Sequence, residues 1–218
     1  VSRRILWLIT GVFLAGQVAV GQDDIDDAGQ RLVDNFLINI VTLQGRFEQA
    51  LIDAEGEVVE RSSGTLEIER PGKFRWSHTD PYELQLVADG LNIWSYDVDL
   101  AQVTVKPQAQ ALANTPALLL GGDTTALEQF RFGGVTVETE TTWVRMIPVD
   151  TSSGFERMEL GFLGGELMRM VFFDNLEQRT LVSLYDVVTN EPIAVERFVF
   201  EVPEDADLVG VPAVADES

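Results

Sequence analysis

From Thr42 onward the hydrophobic pattern of the chain has a period of two residues, and it keeps that period almost to the end. Leu66 and Ile68 alternate with Glu67 and Glu69, Phe74 and Trp76 with Arg75 and Ser77, Leu84, Leu86 and Ala88 with Gln85 and Val87, and Val103 and Val105 with Thr104 and Lys106. Successive side chains of a strand point to opposite faces, so each run predicts a strand with one buried face. Glu55-Gly56, Arg70-Pro71-Gly72, Asp80-Pro81 and Asp89-Gly90 supply turn chemistry between the runs. The second half continues in the same manner over Val135–Glu140, Thr142–Val149, Phe155–Phe162, Leu167–Asp174, Arg179–Val188 and Arg197–Val202. Gly133-Gly134, Ser153-Gly154 and Gly164-Gly165 read as separators. Ten or eleven strands at hairpin spacing predict a large, mainly antiparallel sheet, barrel or sandwich, with no repeat of the propeller or solenoid kind.

Two stretches depart from this rhythm. Before Thr42, Ile25, Ala28, Leu32, Phe36 and Ile40 recur at three- and four-residue spacing and predict one apolar stripe on a helix. Asp23, Asp24, Asp26 and Asp27 crowd its start, where carboxylates meet free N–H groups and the positive end of the dipole. The same acids do not make a calcium loop: counted from Asp24, Ala28 and Asn35 stand where an EF-hand needs a ligand and a glutamate. In the middle, Thr115 reads as a cap and Pro116 as the first residue of an apolar helix through Leu118, Leu119 and Leu120, stopped by Gly121-Gly122. Asp123 caps a second short helix to Phe130. The acidic tail over residues 204–218 is expected to fray.

Residues 1–21 have the three parts of a secretory signal peptide: Arg3 and Arg4, the apolar run Ile5–Gly16, and the small-residue site Ala19-Val20-Gly21. The run is short for a transmembrane helix of roughly 20 residues, the alternative being an uncleaved anchor. Val1 in place of Met reads as an alternative start or a truncation. With no Cys anywhere, the mature protein has no lipid-anchored N-terminal cysteine, no disulfide and no thiolate chemistry. Export, a two-arginine leader and the lack of Cys point to a bacterial protein beyond the inner membrane.

Chemistry is scarce. The 218 residues include one histidine, and 15 basic residues face 36 acidic ones, a formal net charge of −21. That balance argues against nucleic-acid binding and against adsorption to anionic membranes. There is no Gly-x-Ser-x-Gly elbow and no phosphate-binding glycine loop, and any Ser-His-Asp triad would have to use His78, which reads as a polar surface group at a turn. No catalytic residue, cofactor or metal ligand is expected. What the strands do carry is bulk: Phe47, Leu66, Ile68, Phe74, Trp76, Leu84, Leu86, Trp94, Tyr96, Trp143, Met158, Leu160, Met168, Met170, Phe172, Phe198 and Phe200. One curved sheet with the helices on its concave side would bury them, either as ordinary core or around an incompletely filled apolar pocket.

Residues 64–105 decide between such readings by resemblance. Gly64-Thr65-Leu66, Arg70-Pro71-Gly72-Lys73-Phe74-Arg75-Trp76, Pro81-Tyr82, Val87-Ala88-Asp89-Gly90, Trp94-Ser95-Tyr96-Asp97 and Gln102-Val103-Thr104-Val105 follow one another in an order that resembles the LolA family, periplasmic carriers of outer-membrane lipoproteins. Phe47-Glu48-Gln49 is similar to the family's F-x-Q, and Asn114-Thr115-Pro116 with its leucines is similar to its lid segment.

The resemblance implies an α+β, mainly β fold: an unclosed antiparallel barrel of about eleven strands, with helices as a lid over an apolar cavity. It implies a carrier domain over residues 22–203, a monomer that is not an enzyme. Acylated lipoproteins released by an inner-membrane ABC transporter would be passed to an outer-membrane acceptor. Arg70 takes the place of the R-P-x-x-F arginine, which latches the lid through helix carbonyls when no lipid is bound, and Phe74 takes the place of the motif's aromatic residue. Leu66, Trp76, Leu118 and Leu119 are the expected remainder of the lipid-binding lining. A related lipid-binding or envelope-sensing half-barrel is the alternative reading, and a secreted β-rich hydrolase a third.

Overall fold

The computed structural model describes residues 22–111, 121, 124–150 and 154–214. Among them, helix α1 (Gln22–Asn39) precedes β1 (Thr42–Ile52), β2 (Val58–Glu69), β3 (Lys73–Asp80), β4 (Leu84–Asp89), β5 (Asn92–Asp97) and β6 (Gln102–Pro107). A single helical turn, α2 (Gln108–Ala111), ends the first half. The second half holds β7 (Phe130–Glu138), β8 (Thr141–Pro148), β9 (Phe155–Leu163), β10 (Glu166–Asp174), β11 (Arg179–Thr189) and a short β12 (Asp207–Val209). All twelve form one sheet in the order β12-β6-β5-β4-β3-β2-β1-β11-β10-β9-β8-β7. Neighbours up to β6 and β7 are antiparallel hairpins or the β1–β11 closure of the two halves; only β12 runs parallel to its neighbour β6. The sheet stays open, with β7 and β12 at its edges, and this unclosed, mainly antiparallel architecture is the one expected.

One face carries α1 and the main core. Val33, Phe36 and Leu37 of the helix meet Leu43, Phe47, Leu66, Ile68, Phe74, Trp76, Met146, Met158, Leu160, Phe162, Met170 and Leu184 from seven strands. Pairing explains the shared face: Leu66 stands opposite Trp76, Ile68 opposite Phe74, and these in turn opposite Leu86 and Ala88. The helix stripe is turned from the one expected. Ala28 is exposed, and the buried line runs through Gly29, Val33, Phe36 and Leu37. Gly29 draws the helix onto β7: a Cβ there would stand 2.1 Å from Val135 Cγ2. Asp26 Oδ1 then accepts the Val135 N–H at 3.2 Å. Gly133-Gly134 is not a separator but lies inside β7, where the register shifts between Phe132 and Val135 and Gly134 has φ of +105°. This is a bulge, which frees that N–H from the ladder.

The opposite face has a second core, and here several expectations are corrected. Val87, Trp94, Val103 and Val105 are buried beneath Tyr96, Phe200 and Ala206, so Trp94, Tyr96 and Phe200 do not join the concave face. Residues Arg197–Val202 are not a strand: Val195–Phe198 is a 3-10 turn, and Phe200 stacks on Trp94 at 5.4 Å without entering the ladder. Arg197 fixes this strap by donating to both carboxylate oxygens of Glu67, at 3.0 and 3.1 Å from Nε and 2.7 Å from Nη2. The tail does not fray as far as it is described. β12 adds to β6, and Asn92 donates to Ala213 O (3.0 Å) while accepting its N–H (2.7 Å). The expected helix over residues 123–130 is a 3-10 segment, Thr124–Gln129, and Phe130 already belongs to β7. No helix among the described residues is long and apolar enough to cross a membrane, and residues 1–21 lie outside the description.

Candidate functional site

Arg70 sits between the end of β2 and the Pro71-Gly72 turn, its backbone N–H donating to Val41 O at 2.8 Å. That anchor aims its side chain across the sheet end to the C-terminus of α1. Nη1 donates to Phe36 O at 3.1 Å and to Ile40 O, and the guanidinium carbon lies 4.4 Å from the centre of the Phe36 ring. Arg70 is buried, 8% exposed, and burial brings its pKa from 12.5 down to about 10. It remains a cation at neutral pH, surrounded by carbonyl oxygens and a π face. The last turn of α1 has no basic residue of its own, so Arg70 supplies positive charge where the helix dipole is negative. Asn190 completes the cap: its side chain donates to Asn39 O at 2.9 Å and accepts the Val41 N–H at 2.8 Å.

The turn that carries Arg70 is held by Gln108, a residue no sequence signal singles out. Its Nε2 donates to Gly72 O (2.6 Å) and its Oε1 accepts the Gly90 N–H (3.1 Å), which ties two hairpin turns to α2. Gly72 also donates its N–H to Gly121 O at 2.7 Å, and Gly121 lies against Phe74. The chain leaving the segment over residues 112–120 is therefore docked beside the latch turn. Leu118 and Leu119 fall outside the described residues.

Leu66, Phe74 and Trp76 come together as expected, all on the face that bears α1 and all buried. None of the three lines the cavity of about 320 Å³ under the last turns of α1, which is walled by Phe36, Ile40, Leu43, Leu167 and Val187, with Asn35, Glu166 and Thr189 at its polar side and the Gly164-Gly165 turn at its edge. Both glycines have positive φ, 62° and 94°, which lets the β9–β10 hairpin turn tightly at the cavity mouth. The size is at the low end for a ligand pocket, so a long hydrocarbon requires α1 or its neighbours to give way. A larger hollow of about 560 Å³ near β7 has a mixed lining, with Asp26, Glu138, Arg145, Glu159 and Arg179 set among apolar side chains such as Trp143, Phe173 and Leu181.

His78 is not at a surface turn. It is in β3, 7% exposed, with Nδ1 3.2 Å from Ser62 Oγ, its ring parallel to that of Trp76 and edge-on to Phe47. Burial lowers its pKa below 6.5 against the opposing pull of Glu60. Among the described residues no nucleophile–base–acid chain forms around it, and no group of three or more His, Asp or Glu could hold a metal.

A family profile described as outer membrane lipoprotein carrier protein LolA matches residues 39–201. A curated outer-membrane lipoprotein carrier protein of Nitrosomonas europaea is 39% identical over 175 residues, 80% of this chain and 85% of that protein. Its counterpart in Halorhodospira halophila is 39% identical over 183 residues, covering 83% and 86%. One from Pseudomonas aeruginosa is 35% identical over 202 residues, covering 90% and 94%. Among solved structures, an uncharacterized conserved protein from Thermus thermophilus has the same fold, with a TM-score of 0.53 at 16% identity over 84% of this chain and 98% of that one. With the profile spanning β1 to the strap and identity well above 30% across most of both chains, the protein belongs to the LolA family of outer-membrane lipoprotein carrier proteins.

Proposed function

We propose that this protein is a periplasmic carrier that covers the acyl chains of lipoproteins and gives them up at the outer membrane. The observation that carries the reading is a buried guanidinium bonded to the carbonyls of Phe36 in α1 and Ile40 just past it, two residues that line the cavity beside the apolar sheet face. Exposing an acyl chain of roughly fifteen methylenes to water costs on the order of 10 kcal/mol, so transit needs apolar cover. Release needs a cover that opens. A few charge-assisted hydrogen bonds from Arg70 can be made and broken at modest cost, unlike a fully packed core.

In this reading residues 1–21 direct export and are removed, Arg70 latches the closed state, and Leu66, Phe74, Trp76, Leu118 and Leu119 line the lipid site. An inner-membrane ABC transporter loads the carrier and an outer-membrane acceptor unloads it; the carrier itself makes and breaks no covalent bond. Mass spectrometry of material co-purified with the protein from periplasm tests this. Acylated lipoprotein is the expected cargo; free phospholipid alone would move the reading to a general lipid carrier, and turnover of a hydrolase substrate panel would overturn it.

A further inference from the structure

We propose that Trp76 is the hydrogen-bond donor that sets the depth and direction of a bound acyl chain, its indole N–H meeting the ester or amide carbonyl at the head of the chain. The inference rests on the carrier reading. Trp76 is 8% exposed, and its Nε1 is sealed from solvent with no hydrogen-bond partner. Buried polar groups without a partner are rare and destabilising, and phenylalanine would fill the position without one. Trp94, equally buried on the other face, shows the ordinary solution: its Nε1 donates to Asp89 Oδ2 at 2.7 Å. The nearest polar side chain on Trp76's own strand face, His78, is engaged with Ser62. An N–H kept without a partner inside an apolar face suits a ligand that brings one acceptor and much hydrocarbon.

The surroundings give that ligand a direction. Along the inward face of β3 and the turn beyond it, Phe74 (3% exposed) is followed by Trp76, then His78 bonded to Ser62, then Tyr82 bonded to Glu60. The order runs from wholly apolar, through one N–H, to an imidazole and hydroxyl, to a phenol and carboxylate at a residue 37% exposed. Alternate strand residues stand roughly 6.6 Å apart, so the polarity changes over a distance comparable to the head of an acyl lipid. The rings of Trp76, His78 and Tyr82 lie nearly parallel, with interplanar angles of 8° and 20° and centroids 6.3 and 6.2 Å apart, so the graded positions form one row. The hydrocarbon lies toward Phe74, Ile68 and Phe36, the carbonyl at Trp76, and the polar head toward Tyr82.

The indole N–H resonance of Trp76 in ¹⁵N-labelled full-length protein, assigned by its loss in Trp76→Phe, tests this. Methyl palmitate is expected to shift the resonance downfield at saturation and hexadecane to leave it in place. In parallel, Trp76→Phe should lower the ester-to-hexadecane affinity ratio about three- to tenfold. A diacylglyceryl-cysteine peptide and phosphatidylglycerol both carry the ester, and whichever shifts the resonance identifies the source of the carbonyl. An unmoved resonance with bound ester, or an unchanged ester-to-alkane affinity ratio in Trp76→Phe, overturns the proposal. Failure of the wild-type protein to bind either methyl palmitate or hexadecane would overturn the carrier reading itself, a result distinct from the first two.

Discussion

The guanidinium of Arg70 lies over the ring of Phe36, 4.4 Å from its centre, and donates to that same residue's carbonyl oxygen at 3.1 Å. One side chain thus holds the helix by its backbone and by its core anchor at once. The arrangement is balanced. The drop in pKa to about 10 corresponds to a desolvation cost on the order of 3 kcal/mol, which two hydrogen bonds from a charged donor and a cation–π contact roughly offset.

Arg70→Leu should therefore change global stability little and local stability much. The expected result is a melting temperature within a few degrees of wild type, with amide exchange over residues 33–40 faster by tenfold or more. Delivery of lipoprotein to the acceptor should be impaired, because the closed state no longer competes with bound lipid. Wild-type exchange in α1 together with unchanged transfer would count against the latch.

Gly29 makes the approach of α1 to β7 possible. Alanine gains roughly 0.5–1 kcal/mol in helix propensity, but its Cβ would sit 2.1 Å from Val135 Cγ2, and a stiff β-branched side chain yields poorly. Overpacking of about 1–3 kcal/mol wins, so Gly29→Ala should destabilise by about 1–2 kcal/mol in urea unfolding. Gly29→Ala with Val135→Ala should recover more than the sum of the single changes predicts.

Gly64 of β2 pairs with His78 of β3, beside a register shift between Ser63 and Gly64. A Cβ there would lie 1.8 Å from Ser77 O, a backbone atom that no rotamer change can move. Gly64→Ala should lose on the order of 3 kcal/mol or more, by shifting the pairing that sets Leu66 opposite Trp76. Calorimetry showing a fall of less than a few degrees would contradict this.

His78, the molecule's only histidine, titrates without ambiguity in a proton NMR spectrum. Desolvation, opposed by Glu60, holds its pKa below 6.5 in the folded state. The unfolded chain then binds the proton first as pH falls. The histidine's contribution to stability is fully present above pH 6.5 and is lost progressively as pH drops from there through the folded-state pKa. A titration midpoint at or above 6.5 would contradict the burial argument. The stability slope between pH 7 and 5 should flatten in His78→Gln.

Strand rhythm is local, and so it was legible. Leu66, Ile68, Phe74 and Trp76 share a face because alternation and the Arg70-Pro71-Gly72 turn are both written within a dozen residues. The same alternation misleads at Phe198 and Phe200, where apolar side chains reach a sheet face from a strap whose backbone pairs with no strand. His78 looked polar and exposed because nothing adjacent in sequence announces Ser62 or Phe47.

By itself the sequence determined a thiol-free, strand-built carrier of the LolA kind, with Arg70, Leu66, Phe74 and Trp76 singled out by a short motif and its alternation. Only the tertiary structure decided what those residues do to one another. The acceptors for Arg70 lie thirty or more residues away, on Phe36 of α1 and on Ile40 just past it, the helix face is set by a missing Cβ at Gly29, and the tail covers β6 by pairing with it. Periodicity reports which side of an element is apolar. Which element that side meets, and which buried donor finds no acceptor, depends on chain closure over distances that no local pattern encodes.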